Sequence, residues 1–336
     1  MTSSTSSGAG SPTVSVVTAC YNSMRFIDRL FSSLERQTDK NFEWITVDDG
    51  SSDETVPHLT RLAAPGALGM AVYKLPQNSG GGVAVGHGVD QAVGNVILII
   101  DHDDELMPDA IAQVRGQWAA VEADPTVAGL FFRIVDDKSG DPIGGPLAPG
   151  TRFTQSWLSN RRPDIVDGSY AFKAADAKRF FSAQALESIC LFGVPLTEMS
   201  QEKVFVVGSG PPIRTYHRDN PASQTNAVTL TRKTVFTYAR YLDVADRHAF
   251  AQISHWLRHL VTLSRMSVQI HGSPLFPMRL VRRWPIKLLI AIAAPAGMLL
   301  ARGRRNDRIK VMPPFPLDQL EGLPDLHSSE PSEAPG

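Results

Sequence analysis

The first 135 residues alternate between short apolar runs and segments in which apolar residues recur three and four positions apart. The short runs have the β-branched character of strands, and they are Val14–Val17, Phe42–Val47, Met70–Leu75, Asn95–Ile100 and Val127–Val135. Helical spacing follows the first run, at Phe26, Ile27, Leu30, Phe31 and Leu34. Strand–helix alternation with short connections predicts an α/β fold whose mostly parallel central sheet is flanked by helices.

Polar residues follow most of the predicted strands at the point where each strand ends. In an open parallel sheet the ligand crevice lies beyond the carboxyl ends of the strands, so these residues are the candidates for function. They are Tyr21-Asn22, Asp48-Asp49, Asn78 to Gly82, and Asp101 to Asp104. We expect these four groups to converge on one edge of the sheet.

The group Asp101-His102-Asp103-Asp104 directly follows an apolar strand. Three carboxylates this close in the chain repel one another unless a cation or protons intervene. Oxygen-only ligands favour a hard divalent ion, Mg²⁺ or Mn²⁺, which keeps waters and binds substrate phosphates. The pattern therefore predicts a divalent-cation site, and a solvated acidic turn is the alternative.

Three segments resemble the family-2 glycosyltransferases of GT-A fold: Val14–Asn22, Phe42–Asp53, and Gly94–Pro108 with its Asp-x-Asp-Asp followed by Glu-Leu-Met-Pro. The resemblance covers residues 12–135 and extends more loosely to about residue 225. It implies a GT-A, Rossmann-like fold and transfer of a sugar, with inversion, from a nucleotide-diphospho-sugar. UDP- and dTDP-sugars are the donors it favours, with a saccharide or lipid-linked acceptor. The implied role is synthesis of cell-envelope polysaccharide or glycolipid.

The resemblance also assigns roles to individual residues of the donor site. Ala19 and Tyr21 look like the residues that line the nucleotide base, and Asp49, with Asp48 beside it, like the carboxylate that hydrogen-bonds it. Asp101 and Asp103 match the Asp-x-Asp motif, which binds the ribose and the Mn²⁺ or Mg²⁺ ion. The other implied residues are Asn78, Gly80 and His102 for the donor, and Asp104 and His217 for the metal. His217 lies in Ile213–Ser223, which resembles the closing motif of the family's catalytic domain, where a nearby arginine can neutralise phosphate.

Activation of the acceptor hydroxyl calls for a carboxylate general base. In the segment where the family carries this base, Glu202 is the first choice and Glu198 the second. The usual Glu-Asp pair is absent, and helical glutamates four residues apart are also typical of a solvated surface. Asp167, just before a predicted strand over Tyr170–Phe172, can help to shape the acceptor site.

Two departures keep other functions open. Where the family carries an arginine that helps to hold the donor, this chain has Val85, followed by Gly86. A catalytically degenerate GT-A protein that only binds nucleotide is therefore one alternative. The spacing of Gly80, Gly82 and Gly86 after a strand also resembles a dinucleotide-binding turn, so a Rossmann oxidoreductase with nicotinamide or flavin is another.

Composition narrows the class of protein. The 336 residues include 33 Lys and Arg against 34 Asp and Glu, and 43% are hydrophobic, which excludes a disordered chain and a nucleic-acid binder driven by bulk positive charge. The two cysteines, Cys20 and Cys190, cannot form a disulfide framework, so a reducing compartment is expected. Residues 1–11 lack the apolar run of a signal peptide. A cytoplasmic protein is the expectation.

Composition also suggests domain boundaries. We expect a disordered N-terminus over residues 1–12, a GT-A catalytic domain over 13–225, a helical, membrane-proximal region over 226–310, and a disordered Pro-rich acidic tail over 311–336. Between Arg279 and Lys310 nine basic residues and one acid flank the apolar run Leu288–Leu300. Its thirteen residues are fewer than the roughly 20 that span a bilayer. Basic flanks favour an interfacial anchor on the anionic cytoplasmic leaflet, and a buried core helix is the alternative.

Overall fold

The computed structural model describes residues 14–64, 67–161, 167–186, 192–220, 232–244 and 253–303. The tails predicted to be disordered, residues 1–12 and 311–336, lie outside these ranges, as do Cys190 and the expected domain boundary at residue 225.

The described chain alternates strands and helices as the sequence predicts. The strands are β1 (Val14–Cys20), β2 (Phe42–Asp48), β3 (Met70–Lys74), β4 (Val96–Ile99), β5 (Glu105–Leu106), β6 (Val127–Phe132), β7 (Ile134–Asp136), β8 (Arg152–Phe153), β9 (Ser169–Lys173), β10 (Val204–Val207) and β11 (Arg214–Tyr216). The helices are α1 (Ile27–Glu35), α2 (Thr55–Ala63), α3 (Gly81–Gln91), α4 (Ala110–Glu122), α5 (Gln155–Arg161), α6 (Ala174–Phe180), α7 (Ala183–Leu186), α8 (Gly193–Met199), α9 (Arg232–Val244), α10 (Ile253–His271) and α11 (Trp284–Gly303).

The main sheet has eight strands in the order β3-β2-β1-β4-β9-β6-β10-β8. Strands β3, β2, β1, β4, β6 and β10 run in one direction, and β9 and β8 run against them. The predicted mostly parallel sheet is therefore confirmed. The insertion of β9 between β4 and β6 was not predicted. Because β9 is antiparallel to β4 and β6, its amino end lies at the same edge as the carboxyl ends of those two strands.

The order of the first four strands creates a switch point. From β1 the chain moves to β2 and β3 on one side and then crosses to β4 on the other side of β1. Connections that leave in opposite directions open a crevice beyond the carboxyl ends of the two central strands. Residues that follow β1, β2 and β4 lie at this edge, which we call the carboxyl edge. A second sheet has the strand order β5-β11-β7, and its first strand, β5, begins directly after residue 104.

Apolar side chains cover both faces of the main sheet, as expected when helices flank it. One face buries Trp44 and Trp118 with α1 and α4, and the other buries Phe172, Phe181 and Phe205. Helix α3 packs very closely on this second face. A Cβ atom added at Gly86 would lie 2.5 Å from the backbone of Ala183, so the glycine-rich sequence of α3 serves helix packing.

Helices α9, α10 and α11 form a third apolar cluster, centred on Val235, Leu263 and Ile290. Helix α11 is longer than the thirteen-residue apolar run, because it continues through Pro295 and has 20 residues. Its window Trp284–Ala301, with mean hydropathy 1.7, is long and apolar enough to cross a membrane, by length and composition. The length argument against a span is therefore wrong. Among the described residues, α11 is the one helix that is long and apolar enough for this, and 28% of its window is buried inside the protein.

Candidate functional site

The turn after β4 presents its three carboxylates in different surroundings. The Asp101 side chain is 57% exposed at the carboxyl edge. Asp103 is buried, and its Oδ2 accepts a 2.7 Å hydrogen bond from Asn220 Nδ2. Asp104 is fully buried, and its Oδ1 accepts a 3.0 Å hydrogen bond from the backbone N–H of His217. Asp101 is therefore the acid of this turn that is most open to a ligand.

Arg214, at the start of β11, brings three acids together. Its side chain is 5% exposed, and its Nη2 donates a 2.9 Å hydrogen bond to Asp167 Oδ2. Its Nη1 lies 3.2 Å from Asp104 Oδ2 and 3.6 Å from Asp101 Oδ2. Asp167 precedes the antiparallel strand β9, so the reversed direction of β9 is what brings this carboxylate to the carboxyl edge.

The electrostatics of this group follow from burial and mutual charge. Burial raises the pKa of Asp104 to about 8, an effect that Arg214 opposes and Asp101 reinforces. Burial by itself would lower the pKa of Arg214, but the combined attraction of Asp167, Asp104 and Asp101 raises it. The guanidinium is therefore a permanent positive charge among the acids.

Asp48 and Asp49, expected near the nucleotide base, are both buried and hydrogen-bond to loop residues. Asp48 accepts hydrogen bonds from the backbone N–H and the hydroxyl of Ser51. Asp49 accepts from the backbone N–H groups of Ser79 (2.7 Å) and Gly80 (2.9 Å). Asp49 thus ties the loop after β2 to the N-terminus of α3, where Gly80 has a φ of 102° that favours glycine.

The other residues expected at the donor site surround the end of β1. Tyr21 is exposed directly after this strand, and Asn78 is exposed in the loop before α3. His102 Nδ1 lies 3.3 Å from the carbonyl oxygen of Ala19, linking the turn after β4 to β1. The groups after β1, β2 and β4 are therefore brought together at one edge, as the strand ends predict.

The expected metal role of His217 does not match its surroundings. Its Nε2 lies 3.3 Å from Glu105 Oε1, and its Nδ1 lies 3.4 Å from Asp137 Oδ2 and 3.1 Å from Arg29 Nη1. Among the described residues, no three His, Cys, Asp or Glu side chains are grouped so that they could hold a metal ion by themselves. Asp104 is likewise engaged by His217 and Arg214. Asp101 and Asp103 are the remaining candidates of the expected set.

Two carboxylates nevertheless fit a hard divalent ion. Mg²⁺, and ions like it, are usually held by one or two protein carboxylates with substrate phosphates and water completing the shell. The exposed carboxylate of Asp101 is an oxygen donor of this kind, and Asp103, two residues on in the same turn, is the second candidate although its Oδ2 already accepts from Asn220.

Glu202 and Glu198, expected to supply the general base, lie away from the carboxyl edge. Glu202 precedes β10, which is parallel to β6, so it lies at the amino edge of the sheet, opposite to Asp101. Both its carboxylate oxygens pair with Arg179 at 2.7 Å. Glu198 pairs with Arg240 of α9 at 2.7 Å. Both glutamates are thus held in ion pairs, in a segment that precedes a parallel strand rather than following one.

Two cations at this edge have no counterpart among the predicted site residues. Arg214 was covered only by the general expectation of an arginine near His217. Arg29 of α1 hydrogen-bonds the backbone carbonyl of Asp103 and pairs with Asp219 at 3.2 Å. The sequence signal for both was slight, because their partners lie from 47 to 190 positions away in the chain.

Comparison with known proteins identifies the family of this chain. The family described as glycosyl transferase family 2 matches residues 15–183, which is half of the chain. The chain belongs to glycosyl transferase family 2. This match covers β1 to α6 and the start of α7, including every acid that Arg214 contacts.

Individual relatives are more distant. An uncharacterized glycosyltransferase of Rickettsia prowazekii is 30% identical over 38% of this chain and 39% of its own length. A GalNAc(5)-diNAcBac-PP-undecaprenol beta-1,3-glucosyltransferase of Campylobacter jejuni is 31% identical over 39% and 40%. The chain thus spans about two fifths of the length of these curated relatives.

A solved structure extends the likeness of the fold. Residues 1–349 of S. aureus TarS in complex with UDP-GlcNAc superpose with a TM-score of 0.58, covering 86% of this chain and 89% of that chain at 16% identity. The expected GT-A fold with a helical C-terminal region is therefore shown for this family-2 member.

The oxidoreductase alternative does not survive this comparison. The family match replaces it, and the turn it depended on is already occupied, because Asp49 takes the N–H groups of Ser79 and Gly80. Gly86 of the same motif packs against Ala183. The glycines of α3 are thus explained without a dinucleotide.

Proposed function

We propose that this protein transfers a sugar, with inversion, from a nucleotide-diphospho-sugar to a saccharide or lipid-linked acceptor. We place this activity in the synthesis of cell-envelope polysaccharide or glycolipid, with a UDP- or dTDP-sugar as donor. The observation that carries the proposal is the meeting of Tyr21, Asp101 and Asp167 at the switch-point edge of a family-2 fold. The C. jejuni relative, by its name, acts on an undecaprenol-linked saccharide, which supports an acceptor of that class.

The donor side of the site uses the turn after β4. Tyr21 offers an exposed aromatic ring for the base, and Asp101 an exposed carboxylate at the switch point. Asp101 and Asp103 would hold Mn²⁺ or Mg²⁺, which when bound neutralises charge on the departing diphosphate. Asp49 positions the loop before α3 on this side of the crevice by holding Ser79 and Gly80.

On the acceptor side, we assign the general base to Asp167. Its carboxylate is 44% exposed, lies at the carboxyl edge and is oriented by the hydrogen bond from Arg214. A base must lie within reach of the acceptor hydroxyl when that oxygen attacks the anomeric carbon. Asp167 shares Arg214 with Asp101 and so lies on the same edge as the proposed donor site, whereas Glu202 and Glu198 are at the amino edge.

The test is release of nucleoside diphosphate from a panel of UDP-, dTDP- and GDP-sugars, with Mn²⁺ and with EDTA. We expect one donor to be consumed with Mn²⁺ and spared with EDTA, and NMR of the glycosidic product to show the opposite anomer. Turnover that is unaffected by EDTA contradicts the metal dependence, and retention of the anomer contradicts the inverting route.

A catalytically degenerate nucleotide-binding protein is the second candidate, favoured by Val85 at the position of the family's donor-binding arginine. Val85 is buried in the apolar cluster under α3, where a cation would be costly. Nucleotide binding without turnover of any donor in the panel would favour this candidate.

We further propose that the protein attaches to the cytoplasmic face of the membrane through α11. One face of this helix packs on the third apolar cluster through Ile286, Ile290 and Ala293. The opposite face exposes large apolar side chains, which are Trp284 (73% exposed), Leu288, Ile292 and Leu299, and Leu300 is also exposed near the end of the helix. A helix with one face on protein and the other exposed and apolar suits the bilayer interface better than a span.

Charge supports an anionic lipid surface as the partner of this face. Arg279, Arg282, Arg283 and Lys287 cluster at the start of α11, and residues 279–303 contain no acid. Juxtamembrane basic residues each contribute about 1 kcal/mol of attraction to an anionic leaflet. Such attachment would hold the protein at the surface where a lipid-linked acceptor resides.

A further inference from the structure

Arg214 places a fixed positive charge inside the acidic cluster that is proposed to bind the metal. It lies within ion-pairing distance of three carboxylates, those of Asp101, Asp104 and Asp167, and is itself almost completely buried. Two of these carboxylates, Asp101 and Asp167, are substantially exposed, whereas Asp104 is not. The guanidinium therefore lies on the protein side of the cluster, and any ligand approaches from the other side.

This arrangement affects a divalent cation and a diphosphate in opposite ways. A cation on Asp101 would lie close to the guanidinium in a partly desolvated site, where repulsion between like charges is strong. A diphosphate bound next to this metal ion brings negative charge, which offsets the positive charges of the metal ion and of the Arg214 guanidinium. The arginine therefore lowers the affinity for the metal alone and favours the metal together with a diphosphate.

We propose that Arg214 makes divalent-cation binding depend on the nucleoside diphosphate, by acting as a built-in counter-ion of the acidic cluster. The inference rests on the proposed function, because it takes the metal to bind at Asp101. Linkage requires the effect to be reciprocal, so that the diphosphate and the cation raise each other's affinity. The free enzyme then holds little metal until the donor arrives.

The experiment measures Mn²⁺ binding to the full chain by the loss of the free Mn²⁺ EPR signal, with and without UDP. Wild type is expected to bind Mn²⁺ weakly alone and more tightly with UDP. The variant Arg214→Met is expected to bind Mn²⁺ alone about 10-fold more tightly or better, and to gain less from UDP. Arg115→Met removes another largely buried arginine, which lies on α4 and pairs with Asp39, and this variant should match wild type.

A purely structural role for Arg214 predicts the opposite result. If the arginine only organises the carboxylates, Arg214→Met binds Mn²⁺ as weakly as wild type or more weakly, which overturns the proposal. Should this variant fail to fold, the double variant Arg214→Met with Asp167→Asn removes one charge of each sign and serves the same comparison. No Mn²⁺ binding by any protein, with or without UDP, would overturn the metal site and the inference together. Equal Mn²⁺ affinities of wild type and Arg214→Met, with binding present in both, would overturn the inference alone.

Discussion

Individual contacts decide which carboxylates of this chain are available for chemistry. Glu202 and Asp167 are about equally exposed, and each pairs with an arginine. They differ in the edge of the sheet they occupy, since Glu202 precedes a parallel strand and Asp167 an antiparallel one. The edge of the sheet at which a carboxylate lies, more than its local sequence, therefore decides which acid is the candidate base.

This difference predicts opposite effects of two conservative substitutions. Asp167→Asn should lower turnover by about 100-fold or more while donor binding is retained, because the amide cannot accept the acceptor's proton. Glu202→Gln should leave kcat within about 3-fold of wild type, with some loss of stability from the broken pair with Arg179. Steady-state kinetics with the donor identified in the panel make the comparison. A large loss of kcat in Glu202→Gln, with the kcat of Asp167→Asn unchanged, would show that the general base is Glu202 at the amino edge.

The exposed acid of the β4 turn provides a second prediction for a single residue. Asp101→Asn should weaken Mn²⁺-dependent binding of UDP by about 10-fold or more, since it removes a charged oxygen ligand. Isothermal titration calorimetry with Mn²⁺ and with EDTA measures the effect. Asp141→Asn, an exposed acid in the loop after β7, is the matched control. Equal binding by both variants would show that the ion is held elsewhere.

Among the elements, α3 shows how a glycine-rich helix can be a packing device. Gly86 and Gly88 are buried, and an added Cβ at Gly88 would lie 2.5 Å from Val17 Cγ1. Gly86, with Gly80 and Gly82, suggested a dinucleotide site when considered as a sequence motif. Because these positions have no side chain, the helix can approach α7 closely at Gly86 and the sheet closely at Gly88.

The close packing of α3 predicts that Gly86→Ala destabilises the fold by about 1–3 kcal/mol, because Ala183 backbone atoms would have to move. Gly116→Ala, in the middle of α4, is the matched control, since nothing lies within 4 Å of the added Cβ. It should stabilise by up to about 1 kcal/mol through higher helix propensity. Urea unfolding with a constant m-value measures both. Equal effects of the two substitutions would show that α3 can shift without cost.

On the scale of the whole molecule, α11 presents an apolar face away from the catalytic sheet. The α9–α11 region is joined to the sheet region by the Glu198–Arg240 pair and by Gln201, which donates a hydrogen bond to the carbonyl oxygen of Val244. These contacts anchor the region from which α11 would hold the protein at a membrane. The glutamates expected to be catalytic thus include one that connects the two parts.

The membrane proposal predicts that Leu288→Glu with Ile292→Glu abolishes co-sedimentation with vesicles containing phosphatidylglycerol. Each leucine or isoleucine that enters the interface contributes about 1.5–3 kcal/mol, and a charge there adds a penalty. Val93→Glu, at a highly exposed apolar position on the sheet region, is the control and should bind like wild type. Pure phosphatidylcholine vesicles should bind the wild type much less.

Two outcomes would contradict attachment through this face. Undiminished vesicle binding by the double variant would place the contact elsewhere. If the wild type does not bind vesicles but forms dimers, and the double variant is monomeric, a second copy of the chain covers this face. Analytical ultracentrifugation of both proteins measures this.

The sequence by itself determined the parallel sheet and the polar groups at its carboxyl edge. Both depend on local patterns, the two-residue and 3.6-residue periods and the residues that directly follow each strand. The tertiary structure alone decided which acids act together. Asp101, Asp104 and Asp167 meet because β9 inserts antiparallel and β11 returns Arg214 to the turn after β4, contacts that join residues from 47 to 113 positions apart. Pairings over such distances depend on how the elements pack, which no local pattern encodes.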